Sequence, residues 1–339
     1  MEARARDPLR RLTPVVRLAP AKLNLTLAVV GARPDGYHDL LSVAVPIGLA
    51  DRLSLAPAPP GSPDTVRVVG LDIGPPADNL VFRAIDAVRA LVPRPPFGGE
   101  PAPPLAVRLE KRIPVAAGLG GGSSDAAAAI DGALEAWAVE LEGARRRAAA
   151  AQVGSDVPFF LAGGPALFEG RGERVTPLPW LRDVDDVAAP TAPHLLIVTP
   201  TVAIRTADVF AAFAAITQGA GSGSTRLASE HVAVELRSGL RATDLLARAA
   251  VLASANDLAA AAAVVEPGLV PFRRAVTRLL RRPVGLSGSG PTLWALYPSL
   301  ASAEEAARVT DEALAAGGLV APGGSATVAV ATVGASKPA

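Results

Sequence analysis

The chain has no cysteine, so disulfides, thiolate catalysis and cysteine-built metal sites are excluded. Lysine is nearly missing as well. Of 33 basic residues only Lys22, Lys111 and Lys337 are lysine, and the rest are arginine. An excess of charge of one sign is also lacking: the formal net charge is +1 and no basic block exceeds a few residues, which removes the electrostatic case for nucleic acid. No apolar run reaches the length of a membrane span. The most apolar region, residues 245 to 270, is broken by Arg248, Asn256, Asp257, Glu266 and Pro267. MEARARDPLRRL at the start carries charge with no apolar segment behind it and does not read as a secretory signal. These absences lead to the expectation of a cytoplasmic protein with no membrane and no nucleic-acid partner.

What is present fits a globular protein. The chain has 339 residues, 50% of them hydrophobic and 19% charged, enough for two domains with separate cores. Alanine, arginine, glycine and proline are used so heavily that single alanines are expected to carry little information. Leu23, Leu25, Leu27 and Val29 alternate with Asn24, Thr26 and Ala28, the period-2 pattern of a half-buried strand, with Lys22 and Asn24 on its polar face. The turn-rich GARPDGYHD follows, then the apolar LLSVAVPIGL. Proline-rich stretches at 57–63 and 93–104 read as loops flanking a helix over 78–92, capped by Asp78 or Asn79.

LAVRLE, residues 105–110, reads as a strand that leads through KRIP into AAGLGGGSSDAAAAIDGALEAWAVELEG. There Ile130, Leu134, Trp137 and Leu141 fall at helical spacing, with Gly143 as the expected C-cap. GSDVPFFLAGG places Pro158 near the first turn of a further helix. The polar, proline-containing segment 181–193 is the expected domain boundary. Beyond it come a strand (HLLIVTP), a helix over 205–218, a Gly/Ser loop at 219–225 and a helical region. A turn, GLSGSGP, then leads into the strand TLWALY, and a helix near 301–316 and the strand ATVAVATV close the chain. Strands alternating with helices predict an α/β layered C-terminal domain.

GLGGGSSD, residues 118–125, is the sharpest motif. Glycines let a backbone turn tightly and approach a ligand closely, and a helix start offers N–H groups and the positive dipole end to an anion. The hydroxyls of Ser123 and Ser124 can add contacts to phosphate or Mg2+. The loop is neither a Walker A sequence, which needs a lysine before its Ser/Thr, nor a GxGxxG loop. Taken alone, it is also compatible with a plain strand-to-helix turn capped by serine, and GLSGSGP with an ordinary turn.

In combination the motifs carry a resemblance. Pro114 to Ser124 is similar to the phosphate loop of the GHMP small-molecule kinases, and AKLNL and LSGSGP resemble that superfamily's other two motifs, in the right order from about residue 19 to 292. PAKLNL, RPDGYHDL, GLGGGSSDAA and GSDVPFF together resemble one branch of it. That branch uses ATP to phosphorylate the 2-hydroxyl of a cytidyl diphosphate sugar alcohol on the way to isoprenoid precursors. The resemblance implies an α+β, two-domain GHMP kinase fold with the active site in the cleft between domains. The N-terminal domain is expected over 1–182 and a ferredoxin-like C-terminal domain over 192–335.

Residue roles follow from the same resemblance. Pro114, Val115, Ala116, Ala117, Gly118, Leu119, Gly120, Gly121, Gly122, Ser123 and Ser124 would bind ATP, with Mg2+ whose ligands stay unknown. Asp156 would take the hydroxyl proton. Lys22 would keep that carboxylate charged and stabilise charge on the transferring group. Composition supports Lys22, since arginine does not replace a compact ammonium in a tight site; Lys111 has no assigned role. Asn24 would bond the substrate hydroxyl region, and Tyr37 and His38 would stack on and read cytosine. Asp78-Asn79-Leu80 resembles the segment flanking the adenine pocket, and Thr206 and Asn256-Asp257 match further family positions with open roles. One departure stands out: TPTVAIRTADVF has no aromatic before Phe210, so stacking on cytosine is expected to be one-sided or to use an apolar side chain. The implied partners are ATP and the cytidyl substrate, and the implied assembly is a monomer or weak homodimer. A GHMP kinase for another small alcohol and a non-catalytic binding protein of this fold are the alternatives.

Overall fold

The computed structural model describes residues 14–72, 79–94, 97–181 and 193–334. It divides into two compact units that interleave in sequence. The first comprises the chain up to Ala19, Ala50–Ile113 and Gly121–Leu161; the second comprises Pro20–Leu49, Pro114–Gly120 and everything from Ala162 onward. The expected boundary at 181–193 falls almost wholly on 182–192, outside the described residues, as do Asp78, Lys337 and the arginine-rich start.

Two long strands, β1 (Val15–Ala32) and β2 (His38–Pro57), pair with each other and run through both units. In the first unit β4 (Leu105–Lys111) pairs antiparallel with the end of β2, Leu53 opposite Leu109. On its other edge it pairs parallel with β3 (Thr65–Gly70), Val66 opposite Val107. Four helices complete the unit: α1 (Leu80–Arg89), α2 (Gly121–Ala136), α3 (Gly143–Val153) and α4 (Val157–Ala162). Asn79 caps α1 by accepting the Val81 N–H at 3.0 Å.

Helix α2 is buried on almost every side, and Ala126, Ala127, Ala128, Ala129 and Ala133 belong to the core. This reverses the expectation that alanines would be uninformative. Small side chains let α2 lie close against its neighbours, and a Cβ on Gly132 would stand 2.5 Å from Leu55 Cδ1. The helix also ends earlier than its spacing predicts. It stops at Ala136, Ala138 turns at φ 53°, and Gly143 opens α3 instead of capping α2. Trp137 is buried there and its Nε1 donates to Pro103 O at 2.9 Å, so burying the indole against the proline-rich loop takes precedence over the helical period.

In the second unit the start of β2 pairs antiparallel with β5 (Ala166–Gly170), and β5 with β6 (Arg174–Pro177). A separate antiparallel sheet has the order β10-β7-β9-β8, from β7 (His194–Pro200), β8 (Gly285–Leu286), β9 (Leu293–Tyr297) and β10 (Ala326–Thr332). Helices α5 (Thr206–Thr217), α6 (Gly223–Arg237) and those up to α10 (Leu269–Leu280) connect β7 to β8, and α11 (Leu300–Ala315) connects β9 to β10. That β-α-β-β-α-β sequence with its strand order is the expected ferredoxin-like arrangement. The loop expected over 219–225 ends at Ser222, whose hydroxyl accepts the Ser224 N–H and caps α6. Among the described residues no helix is long and apolar enough to cross a membrane.

Arg89 ties α1 both to Asp64, just before β3, and to the proline-rich loop before β4. Arg89 donates to both oxygens of Asp64 at 2.7 Å and to Ala102 O at 3.1 Å, while Asp64 Oδ1 also accepts the Leu105 N–H at 2.7 Å. Arg89 lies over the Trp137 ring, 5.2 Å from its centroid. Removing Asp64 from this half-buried pair loses charge-assisted hydrogen bonds while leaving Arg89 its contact with Asp86 at 3.2 Å, at a cost of about 1.5–3 kcal/mol. Asp64→Ala is therefore expected to lower the unfolding free energy by about that amount in denaturant titration. A loss below about 1 kcal/mol would place the pair among ordinary surface bridges.

Candidate active site

In the second unit β1 carries the polar pair that its alternation predicts, but not on a half-exposed face. Residues Ala21 to Val29 are all buried. The polar side chains tolerate this because they bond one another. Lys22 Nζ donates to Asn24 Oδ1 at 2.6 Å, Asn24 Nδ2 to Ser42 Oγ at 2.8 Å, and Ser42 Oγ to Thr26 O at 2.6 Å. Asn24 thus grips the ammonium at one end of its amide and β2 at the other.

The three glycine- and lysine-bearing motifs meet in this unit. The Lys22 N–H donates to Leu119 O at 2.9 Å, and Ser287 Oγ donates to Gly118 O at 3.0 Å. Gly118 has φ +73°, and a Cβ there would stand 2.3 Å from Ser287 O. Gly288, at φ +56°, approaches Gly118 O and Asn24 Oδ1 in the same way, at 3.2 and 3.4 Å from its would-be Cβ. GLSGSGP is therefore a packing partner of the 118–120 loop, which its own sequence does not show. Asn256 holds it there, donating to Leu286 O at 3.0 Å and Gly288 O at 2.8 Å. Asp257 accepts the Val29 N–H at 2.9 Å, and Thr206 bonds Ser289 at 3.0 Å. These contacts supply the roles that the sequence leaves open for Thr206, Asn256 and Asp257.

Tyr37 and His38 leave the β1–β2 hairpin directly after a Pro-Asp-Gly turn, in which Gly36 has φ +82°. Arg33 braces the turn with ion pairs to Asp35 at 3.0 Å and Asp39 at 2.8 Å. Tyr37 is 57% exposed beneath the Arg171 guanidinium, 4.9 Å from its ring centroid. The His38 ring stacks on Phe210 at 5.4 Å and 26°, and its Nε2 is buried without a hydrogen-bond partner. Phe210, the first aromatic of the departing segment, is brought beside His38 by the helix. Helix α5 turns its second aromatic, Phe213, into the core and brings Phe210 to the histidine. Position in the sequence concealed this, while the three-residue helical spacing of Phe210 and Phe213 was the available signal. A cleft of about 610 Å³ in the same unit, lined by Arg33, Leu40, Glu169, Arg174, Arg237 and others, includes none of the expected site residues.

The first unit holds the other half of the expected residues. Loop residues Pro114 to Gly120 belong to the second unit and Gly121 onward to the first, where α2 begins. Val115, Ala116 and Gly122 are exposed, and Gly118 and Gly120 take the left-handed conformation. Ser123 is half-buried, while Ser124 is buried and its Oγ has no partner. A Cβ on Gly122 would lie 3.7 Å from Leu80 Cδ1, so the starts of α1 and α2 are neighbours. Asn79 Nδ2 is likewise buried and unpartnered. Two unused polar atoms beside an open helix start suit a polar, anionic ligand. Asp156 is half-buried immediately before α4, backed by the fully buried Val157 and Phe159. Among the described residues no cluster of three or more His, Asp or Glu side chains could hold a metal ion.

Beneath the start of α2 lies an ion cluster that the sequence does not announce. The Lys111 ammonium is bonded by Asp51 and, at 2.8 Å, by Asp125, with all three side chains almost fully buried. Burial pushes the Asp125 carboxyl up to about 7, against the pull of Lys111 and with help from Asp51. Its Oδ1 has no partner. Two carboxylates around one ammonium leave a net negative charge; one shared proton removes it.

Residues 79–164 match the family described as GHMP kinases N terminal domain. A 4-diphosphocytidyl-2-C-methyl-D-erythritol kinase of Pelotomaculum thermopropionicum is 37% identical over 302 residues, covering 88% of this chain and 95% of that protein. One from Rhodopseudomonas palustris is 38% identical over 294 residues, covering 85% and 90%. A crystal structure of 4-(cytidine 5'-diphospho)-2C-methyl-D-erythritol kinase superposes with TM-score 0.66 at 29% identity, covering 94% of this chain and all of that one (100%). Homoserine kinase from Cytophaga hutchinsonii shares the fold, with TM-score 0.64 at 20% identity over 95% of this chain and 96% of its own.

The raised Asp125 carboxyl has a consequence for stability. Between its ordinary 3.8 and about 7 the folded protein keeps a proton that the unfolded chain has released. The associated stability is full below the lower value and is lost as pH rises through the upper one. Without ligand, the melting temperature of the native protein is expected to fall, relative to Asp125→Asn, between about pH 4 and pH 7. Parallel pH profiles for the two proteins would show that Asp125 is ionised throughout.

Proposed function

Because the chain belongs to the 4-diphosphocytidyl-2-C-methyl-D-erythritol kinase family, we propose that it transfers the γ-phosphoryl group of ATP to the 2-hydroxyl of 4-diphosphocytidyl-2-C-methyl-D-erythritol. Its place is then the supply of isoprenoid precursors, and its compartment the cytoplasm. The observation that carries this reading is the meeting of Lys22, Gly118 and Ser287, three motifs far apart in sequence and joined by the Lys22 N–H on Leu119 O, by the Ser287 hydroxyl on Gly118 O and by glycines with no room for a Cβ.

Phosphoryl transfer of this kind asks for alignment and charge stabilisation more than for covalent chemistry. The residues from Pro114 to Ser124 are assigned to the ATP phosphates, supported by the left-handed glycines and the unused Ser124 Oγ. Asn79 Nδ2 is assigned to the adenine edge. Mg2+, if bound, would supply charge neutralisation at the phosphates, with the Ser123 and Ser124 hydroxyls as the protein groups that could reach it. In the transfer the substrate oxygen bonds to the γ-phosphorus, the bond from that phosphorus to the β-bridging oxygen breaks, and ADP leaves. Asp156 receives the hydroxyl proton. The Lys22 ammonium, aimed by Asn24, offsets charge on the moving group, and Asn24 shares in holding the hydroxyl. Tyr37 stacks on cytosine, Phe210 offers a second ring, and the unused His38 Nε2 reads the base edge.

Asp156→Ala and Lys22→Ala are each expected to lower kcat by at least about 100-fold while the Kd for ATP stays within a few-fold. Turnover near the native value in either variant, measured by coupled ADP release, would remove that residue from the chemistry. His38→Ala and Phe210→Ala should instead raise the KM of the cytidyl substrate by about tenfold with little change in kcat. An unchanged KM would clear cytosine from this part of the hairpin.

A further inference from the structure

We propose that the Asp51–Lys111–Asp125 cluster is a positioning device for the ATP loop: it fixes where the chain enters residues 114–120 and where it leaves them. The inference rests on the reading of Pro114–Ser124 as the ATP loop. Lys111 is the last residue of β4, and Asp51 receives its ammonium together with the backbone N–H groups of Arg112 at 2.5 Å and Ile113 at 2.9 Å. One carboxylate therefore holds the whole exit from β4. Asp125 reaches the same ammonium from α2, four residues after the helix begins. Gly121, the first residue of α2, rests directly on the cluster: a Cβ there would lie 2.9 Å from Ile113 Cγ2 and 3.3 Å from Lys111 Nζ. Entry and exit of the loop are thus fastened to one cation.

Stability alone does not account for such an arrangement. Replacing buried ion clusters by apolar residues of similar volume is often neutral or stabilising, so burying three charges serves better as a means of setting geometry. The choice of lysine agrees. A compact ammonium can be received by two carboxylates from different elements, whereas a guanidinium presents a planar fork to one side. Loops anchored through rigid elements hold a ligand in register more tightly than loops left to themselves.

The test separates position from stability. Asp125→Ala removes the tether to α2, Asp125→Asn keeps an acceptor of the same shape, and Lys111→Met/Asp125→Leu replaces the salt link by apolar volume. We expect Asp125→Ala and the double variant to raise KM for ATP about tenfold or more, with kcat within about threefold and KM for the cytidyl substrate unchanged. Asp125→Asn should stay within about twofold of native on all three constants. The double variant leaves Asp51 buried without its cation but still bonded to two backbone N–H groups, so its KM is measured on the folded fraction, defined by a cooperative melt, and is decisive even if Asp125→Ala is unstable. An unchanged KM for ATP in the double variant, or an equal fall in activity against both substrates tracking lost folded protein, overturns the positioning role. Failure of the native protein to bind ATP in calorimetry would instead overturn the ATP-loop reading itself.

Discussion

Much of the second unit depends on one place where two backbones touch. Gly118 and Ser287 approach so closely that no side chain fits between them, and Gly288 repeats the arrangement against Gly118 and Asn24. Only glycine can meet both conditions there, the left-handed φ and the missing Cβ. The contact brings the carbonyls of residues 118 and 119 to Ser287 and to the Lys22 amide, so the lysine strand and the glycine loop share one framework. Asn256, Asp257 and Thr206 then serve that framework by holding the 285–291 loop and the β1 strand in place. Their hydrogen bonds join segments 30 to 228 residues apart in sequence.

Charge is used sparingly inside the protein and always with partners. Both lysines within the described residues are buried: Lys22 donates to Asn24, which is bonded in turn to Ser42, and Lys111 lies between two carboxylates. The double carboxylate around Lys111 turns its charge into a fixed point of structure. Arginines take the outward and bridging positions, as at Arg33 and Arg89, where a fork that binds two oxygens is useful. The scarcity of lysine therefore marks buried cations in general, and catalysis is only one reason to bury one.

Elements with a strong period were legible: β1, β4, β7, β9, β10, α1, α5 and α11 lie close to where alternation, helical spacing and capping residues put them. What was missed has a physical pattern. β3, β5 and β6 are short, and β3 and β6 are only partly covered, so they carry little alternation. α3 is dominated by arginine and alanine, which read as composition when the neighbours are unknown. The alanines of α2 and the end of that helix at Trp137 were decided by partners that the local sequence does not contain. Of the site, the loop, the lysine strand and the Tyr-His turn were visible as motifs, because each needs particular residues at fixed spacing. Phe210 and the Lys111 cluster were not, since their partners stand 172 residues away at His38 and 60 at Asp51.

The sequence by itself determined the chemistry on offer: a glycine-rich helix start for an anion, a rare ammonium on a strand, a carboxylate before a helix and a polar aromatic turn. These follow from residue type and short-range geometry, which depend on few neighbours. Tertiary structure alone decided that Ala21 to Val29 of β1 are buried on both faces, that Asn24 links Lys22 to Ser42 of β2, that Phe210 stacks on His38 and that Lys111 lies between Asp51 and Asp125. Each of these is a contact between distant segments, where burial raises the strength of every polar interaction and the cost of leaving one unmade.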